Sequence, residues 1–396
     1  MWLPYGRSEI PVRVPDERLI DIFKVENLKP ILDTPSEATK LLDSNDSFLQ
    51  KASSATHPCI VLGSCGSAEL ATELCSTVLR RMRSQSSATI LYTEESTEIN
   101  PEPLGGSRVL RHTKDSETTV VNWANGRFSP QINSEFVSSD LRILIGELRP
   151  HHLLKYSGLC DLVFPCLTSE ISKKAHFSDG QGVSVTSLHA ERLGIAASFD
   201  NTYALGLVLD GDLKPVRFSF DEVARCLETL EPIGDELFSK QISKRSDILV
   251  MSAGGAPFDA TLARAVDTFP AALQALKKDG ALIVSAECQQ GHGGAQFYDW
   301  SAEHKEPRYL EARLRHHFSY GGFKAAFLSR TLQSHRVHLV STIPDHYVEN
   351  VFNMKTASTV NAALQSALRA HGSDSTISII PNASRVSTKI LEAVQQ

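Results

Sequence analysis

Two short segments about thirty residues apart in the C-terminal third limit what this chain can fold into: Ser252-Ala-Gly-Gly-Ala-Pro-Phe-Asp259 and Ala281-Leu-Ile-Val-Ser-Ala-Glu-Cys-Gln-Gln-Gly-His-Gly-Gly-Ala295. Each reads as a buried strand running into a glycine-bearing loop. The first strand is Asp247 to Ser252, and between the loops Thr261 to Lys278 carries apolar residues at helical spacing, with Asp279-Gly280 as the expected stop. Such a strand-helix-strand unit belongs in an open parallel sheet, where loops at the carboxyl ends of the strands form the crevice that holds ligands. Both glycine loops are therefore expected to face one cleft.

The same alternation recurs upstream. Cys59 to Leu62 reads as an apolar strand, followed by the loop Gly63-Ser-Cys-Gly-Ser67 and a helix from Ala68 to Met82. Further strands are expected at Thr89 to Tyr92, Arg108 to Arg111, Asp140 to Gly146, Tyr203 to Leu209 and Val216 to Phe220. Asn27 to Ser54 is polar, with a helix expected over Ser36 to Leu42. Pro232 to Arg245 reads as a charged helix bridging to a second half, which adds the strands Arg336 to Ser341 and Ser375 to Ile380 and the helix Val360 to His371. The expected fold class is α/β: two Rossmann-like α/β domains with an interdomain cleft, spanning 1–235 and 244–396.

Length supports this division, because 396 residues exceed one ordinary core. A net charge of -6 argues against a basic nucleic-acid-binding face, and no apolar run has the length of a membrane span. Small molecules are the expected partners. The first residues, Met1 to Arg7, lack the pattern of a secretory signal, so a cytoplasmic location is expected. Seven cysteines without C-x-x-C spacing make neither a disulfide framework nor a zinc ribbon.

Several residues at these loops carry chemistry. Ser64 and Ser67, in a loop opening a helix, offer hydroxyls beside backbone N–H groups, which suits a phosphate or carboxylate; a plain tight turn is the other reading. The same helix end would lower the pKa of Cys65 and make it a nucleophile. Gly254, Gly255 and Gly291 let backbone approach a bound cofactor closely, and His292 can hold a proton or a hydrogen bond there. His316, His317, His335 and His338 read as unrelated solvent or interface residues.

Taken in order, the two C-terminal loops, Gly321-Gly-Phe-Lys-Ala325, Ile380-Pro-Asn-Ala-Ser384 and the opening Tyr5-Gly-Arg7 with Val14-Pro-Asp-Glu-Arg18 resemble the nickel-pincer lactate racemase family. The resemblance covers nearly the whole chain and is most specific over Ser252 to Trp300. It implies two α/β domains and a racemase or epimerase acting on a 2-hydroxy acid. The reaction would be reversible hydride transfer to a nickel-containing pyridinium mononucleotide, with histidines handling the hydroxyl proton. The family's acid/base Pro-His falls on Pro150-His151, and its nickel-ligating histidine falls on His176 after a one-residue deletion. Each of these two histidines also reads as an ordinary loop or surface residue.

Other positions depart from the family pattern. The lysine that would be joined covalently to the cofactor is replaced by Asp161, and a carboxylate has no amine for that linkage. The Asp-x-x-Arg-Pro turn becomes Ser64-Cys-Gly-Ser-Ala68, and the loop Thr93 to Pro101 lacks the second acid/base histidine. The family's Gln-x-x-Lys lands on Arg264 and Asp267, leaving Arg264 and Lys324 to hold an anionic substrate. Two readings follow: a hydroxy-acid racemase using a differently held cofactor, or a catalytically inactive or repurposed binder of an anionic small molecule. Cofactor-free catalysis by Cys65 or His151 is a third.

Overall fold

In a computed structural model, the chain forms two compact units, Glu26–Leu237 and Met1–Val25 with Phe238–Gln396. The structure describes residues 1–83, 85–93, 96–123, 128–151, 155–177, 185–303, 306–372 and 374–391, and the backbone alone at 86, 174, 176–177 and 185–187.

The Glu26–Leu237 unit is built on a six-stranded sheet in the order Pro215–Glu222, Thr202–Leu209, Leu141–Glu147, Pro58–Leu62, Thr89–Tyr92, Arg108–Arg111. All neighbours are parallel except the first pair. The central strands Pro58–Leu62 and Leu141–Glu147 are buried throughout, which explains their unbroken apolar runs: a parallel strand covered on both faces has no solvent side to alternate with. Ile60, Leu62, Ile143 and Ile145 pack into one cluster with Leu42 of the helix Thr34–Asp43 and with Leu74 and Val78 of the helix Ala68–Leu79. The single helix expected over Ser36 to Leu42 is followed by a second, Asp46–Ser54, because the Asn45 side chain accepts from Phe48 N and starts a new turn.

The other unit carries a six-stranded parallel sheet in the order Lys355–Thr356, Arg336–Val340, Leu276–Ser285, Ser246–Ser252, Ile377–Ile380, Leu19–Ile22. Ile248, Val250, Ile283 and Ile379 pack against Val360, Leu364 and Ala367 of the helix Val360–His371. Asp247 fixes one end of this sheet. Its Oδ2 accepts from Thr376 N and Oγ1 at 2.9 and 2.7 Å, and its Oδ1 accepts from Lys277 Nζ at 2.8 Å.

Four expectations change. Residues 1–25 join the C-terminal unit rather than a domain spanning 1–235, because Leu19–Ile22 adds a parallel edge strand beside Ile377–Ile380. The helix expected over Thr261 to Lys278 divides into Leu262–Val266 and Phe269–Leu273, with Pro270 in the first turn of the second, and strand begins already at Leu276. The bridging segment 232–245 is helix only to Phe238, the end of Val223–Phe238, and then becomes the strand Ser239–Ile242 paired with Ser387–Ile390. His338 is buried, not a surface residue, because it sits within the strand Arg336–Val340.

Candidate functional site

In the Glu26–Leu237 unit, polar groups gather where the two central strands end. Beyond the last paired residues, Leu62 and Ile145, Glu147 N donates to Ser64 O at 2.8 Å, and Ser64 Oγ donates to Glu147 Oε1 at 2.6 Å. The Glu147 side chain is 1% exposed, and Arg149 Nε stands 4.0 Å from the same oxygen. The segment after Thr89–Tyr92 folds onto this loop: Cys65 N donates to Thr97 Oγ1 at 2.8 Å and Ser96 Oγ donates to Leu62 O at 2.6 Å. Ser67 caps the helix Ala68–Leu79, its Oγ accepting from Leu70 N at 3.2 Å.

His151 ends a short hairpin strand, Arg149–His151, whose partner Lys155–Ser157 places Lys155 directly across from it. Lys155 Nζ pairs with Glu231 Oε2 at 2.9 Å and Asp235 Oδ2 at 3.2 Å. Burial acts to lower the pKa of this amine, and the two carboxylates outweigh it. Tyr156 donates its hydroxyl to Asp235 Oδ1 at 2.7 Å.

Asp161 lies in the turn of helix Cys160–Val163, which packs on the strand ends through Leu162 against Gly63 and Gly146. Its carboxylate forms an ion pair with Arg192 of the helix Val185–Ala197, and the Arg192 side chain is 0% exposed. Arg192 Nη2 also lies 3.3 Å from His189 Nδ1. Burial lowers the Arg192 pKa, the expected direction for a cation removed from water. His176 falls in the helix Glu170–Phe177, and its side chain lies outside the described residues.

Cys65 does not have the environment expected of a nucleophile. It is wholly buried, and burial raises its thiol pKa well above the ordinary value, with Cys75 and Glu147 acting in the same direction. The helix end cannot offset that loss of hydration. Sequence reasoning passed over Glu147, Arg192 and His112. His112 is buried with Asn133 Nδ2 3.1 Å from Nδ1 and Thr168 O 3.4 Å from Nε2, and burial lowers its pKa. A charged residue closing an apolar strand was the available signal for Glu147.

In the other unit, the Tyr5–Ser8 turn of the hairpin Trp2–Tyr5 and Ser8–Pro11 packs among the strand-end loops. Gly6 N donates to Asp259 Oδ2 at 2.7 Å, Ala256 N donates to Gly6 O at 2.8 Å, and Ser252 Oγ donates to Pro4 O at 2.5 Å. Asp259 is fully buried; its Oδ2 also accepts from Glu287 N at 3.1 Å. Burial, then the charges of Glu287, Cys288 and Asp259, push the Tyr5 phenol up to about 12.

The sequence-predicted glycines meet the protein's own loops. Gly254, at φ +115°, leaves room for Asn382 and Ser384, and Gly255, at φ +71°, lies against Gly6 O. Gly291 and His292 present their carbonyls to Leu262 N and Ala263 N, both at 3.1 Å, at the start of the helix Leu262–Val266. The His292 ring packs on Tyr298 with centroids 4.7 Å apart, and its Nδ1 is buried without a hydrogen-bond partner among the described residues. Arg264 Nη1 donates to Pro257 O at 3.2 Å. Lys324 is buried, donating to Ala263 O at 3.0 Å and to Asp267 Oδ2 at 2.5 Å. Lys324, expected from sequence to hold an anionic substrate, is therefore in an internal ion pair with Asp267.

Each unit is thus an α/β body on a parallel or mostly parallel sheet whose strand ends carry the polar groups. A family model described as the lactate racemase C-terminal domain matches residues 241–387. The lactate racemase of Thermoanaerobacterium thermosaccharolyticum is 28% identical over 268 residues, covering 64% of this chain and 62% of that protein. The lactate racemase of Lactiplantibacillus plantarum is 26% identical over 269 residues, covering 63% and 62%. The chain thus spans 62% of the length of these relatives. The structure of the lactate racemase apoprotein from T. thermosaccharolyticum superposes with a TM-score of 0.80 at 22% identity, covering 98% of this chain and 99% of that one. A structural-genomics protein from Thermotoga maritima gives 0.65 at 13% identity, covering 90% and 97%. The chain thus has the fold of a lactate racemase apoprotein, and its residues 241–387 match the lactate racemase C-terminal domain. Among the described residues, no helix is long and apolar enough to cross a membrane.

Proposed function

We propose that this chain is a lactate racemase relative without a covalently attached nickel-pincer nucleotide, and that it binds a small hydroxy acid. The carrying observation is the Asp161–Arg192 pair. The position where the family resemblance calls for an attachment amine holds a carboxylate committed to a buried guanidinium. Of the lysines near it in sequence, Lys155 pairs with Glu231 and Asp235 and Lys173 with Glu170, and the Lys174 side chain lies outside the described residues. The residues present therefore do not fit the tethered cofactor. In the Glu26–Leu237 unit, Ser64 and His151 at the strand ends are the proposed ligand-handling residues; taken by itself, the other unit has Arg264 as its candidate for holding an anion, Lys324 being already paired with Asp267.

One feature favours a second reading, a racemase with a non-covalent cofactor: His151 stands just past a central strand, where an acid/base imidazole would be useful. Co-expression with the pincer-assembly proteins, followed by intact mass and nickel analysis and a lactate racemisation assay, separates the two. The proposal expects unmodified mass, no stoichiometric nickel, no exchange of lactate enantiomers, and a raised melting temperature with hydroxy acids. A mass increment or racemase turnover overturns it.

A further inference from the structure

The Ser64–Glu147 contact determines what kind of group this loop accepts. A serine hydroxyl has one hydrogen and two lone pairs. At 2.6 Å from Glu147 Oε1, Ser64 directs that hydrogen at the carboxylate. Toward anything else Ser64 therefore offers lone pairs: it accepts from an O–H or N–H donor and repels a carboxylate or phosphate oxygen. Glu147 is held in place to impose this polarity. Its carbonyl is covered by Gly158, which at φ +109° has no Cβ to keep the chain away, and its backbone N–H is bonded to Ser64 O.

The remaining groups of the loop agree. Cys65 N, one of the amides that an anion would need, already donates to Thr97 Oγ1. The Ser67 oxygen faces its own helix as a cap. Glu147 also places negative charge beneath the turn, which its upward push on the Cys65 thiol reflects after burial and Cys75. At Ser64 and Ser67, where sequence suggested an anion site, both side-chain oxygens and the Cys65 amide are thus engaged within the protein.

Resting on the hydroxy-acid reading above, we propose that Ser64, polarised by Glu147, receives the ligand's hydroxyl rather than its carboxylate and makes the site selective for 2-hydroxy over 2-deoxy acids. The test is calorimetric titration of the whole chain with lactate and with propionate, which lacks only the hydroxyl. Wild-type protein is expected to prefer lactate by about tenfold. Ser64→Ala is expected to bind both acids as wild type binds propionate, and Ser64→Thr, which keeps the hydroxyl, to retain the preference. Because Ser64 is small and only half-buried, a normal melting transition in Ser64→Ala confirms an intact fold; Ser64→Thr provides the second comparison. A folded Ser64→Ala protein with an undiminished lactate preference overturns this assignment while leaving hydroxy-acid binding in place. So does equal binding of the two acids by wild type. Failure of wild type to bind either acid overturns the functional reading itself and this assignment with it.

Discussion

The Asp161 carboxylate and the Arg192 guanidinium are paired inside the Glu26–Leu237 unit, with the Arg192 side chain closed to solvent. Each residue makes the other tolerable: a lone buried charge has neither water nor a counterion. Asp161 is therefore not a vacancy where a lysine could simply be restored. Asp161→Lys would set a second cation against Arg192 and is expected to cost about 3–5 kcal/mol of stability. Urea denaturation of Asp161→Lys beside Asp161→Lys/Arg192→Leu measures this, the double variant being the more stable of the two. An Asp161→Lys protein as stable as wild type would remove the pair from the argument.

Acid should weaken the other unit through His338. Its imidazole is buried within the strand Arg336–Val340, and burial, followed by Lys355, His371 and Arg336, lowers its pKa from 6.5 to about 4. Between those values the unfolded chain binds the extra proton and the folded chain does not, so stability is full above pH 6.5 and falls as pH approaches 4. The loss is on the order of 3 kcal/mol. Stability measured across this range should decline less steeply for His338→Leu than for wild type; identical slopes would contradict the assignment.

Thiol labelling should follow burial rather than position at a helix end. Of the seven cysteines only Cys166 is partly exposed, the other six being buried. Iodoacetamide at mild alkaline pH is expected to modify Cys166 first and to reach Cys65 only as the protein unfolds, as read by peptide mass spectrometry. Fast labelling of Cys65 in folded protein would restore it as a nucleophile.

Gly6 is constrained by its backbone. Its φ of +57° disfavours a residue with a Cβ, and a Cβ there would also displace the Glu287 carboxylate. Gly6→Ala should therefore loosen the opening hairpin from Asp259 at a cost of about 2 kcal/mol. Limited proteolysis should then cut within residues 1–25 before other sites; unchanged resistance would show that the turn is not needed for docking.

The sheet strands were legible because burial on both faces leaves its mark locally: Pro58–Leu62, Leu141–Glu147 and Ser246–Ser252 all fall in apolar runs. Relations made at long range were not. Spacing singled out Asp161, yet nothing in the helix Val185–Ala197 distinguishes Arg192 from a solvated arginine, because its partner comes from another element. Ser64 was legible as a loop hydroxyl, but the sign of its preference depends on Glu147, supplied by a neighbouring strand. The Lys324–Asp267 pair joins two helices in the same way, so its neutrality could not be read from either segment alone.

The edge strand Leu19–Ile22 has a consequence for biosynthesis. Its neighbour, Ile377–Ile380, is made some 358 residues later, counting from Leu19 to its partner Ile377. The 26–237 body is continuous and has all its strands available before Ile377–Ile380 is made, whereas Leu19–Ile22 must wait for that strand. Leu19–Ile22 is thus a strand made early whose partner is made late, after the 26–237 body between them.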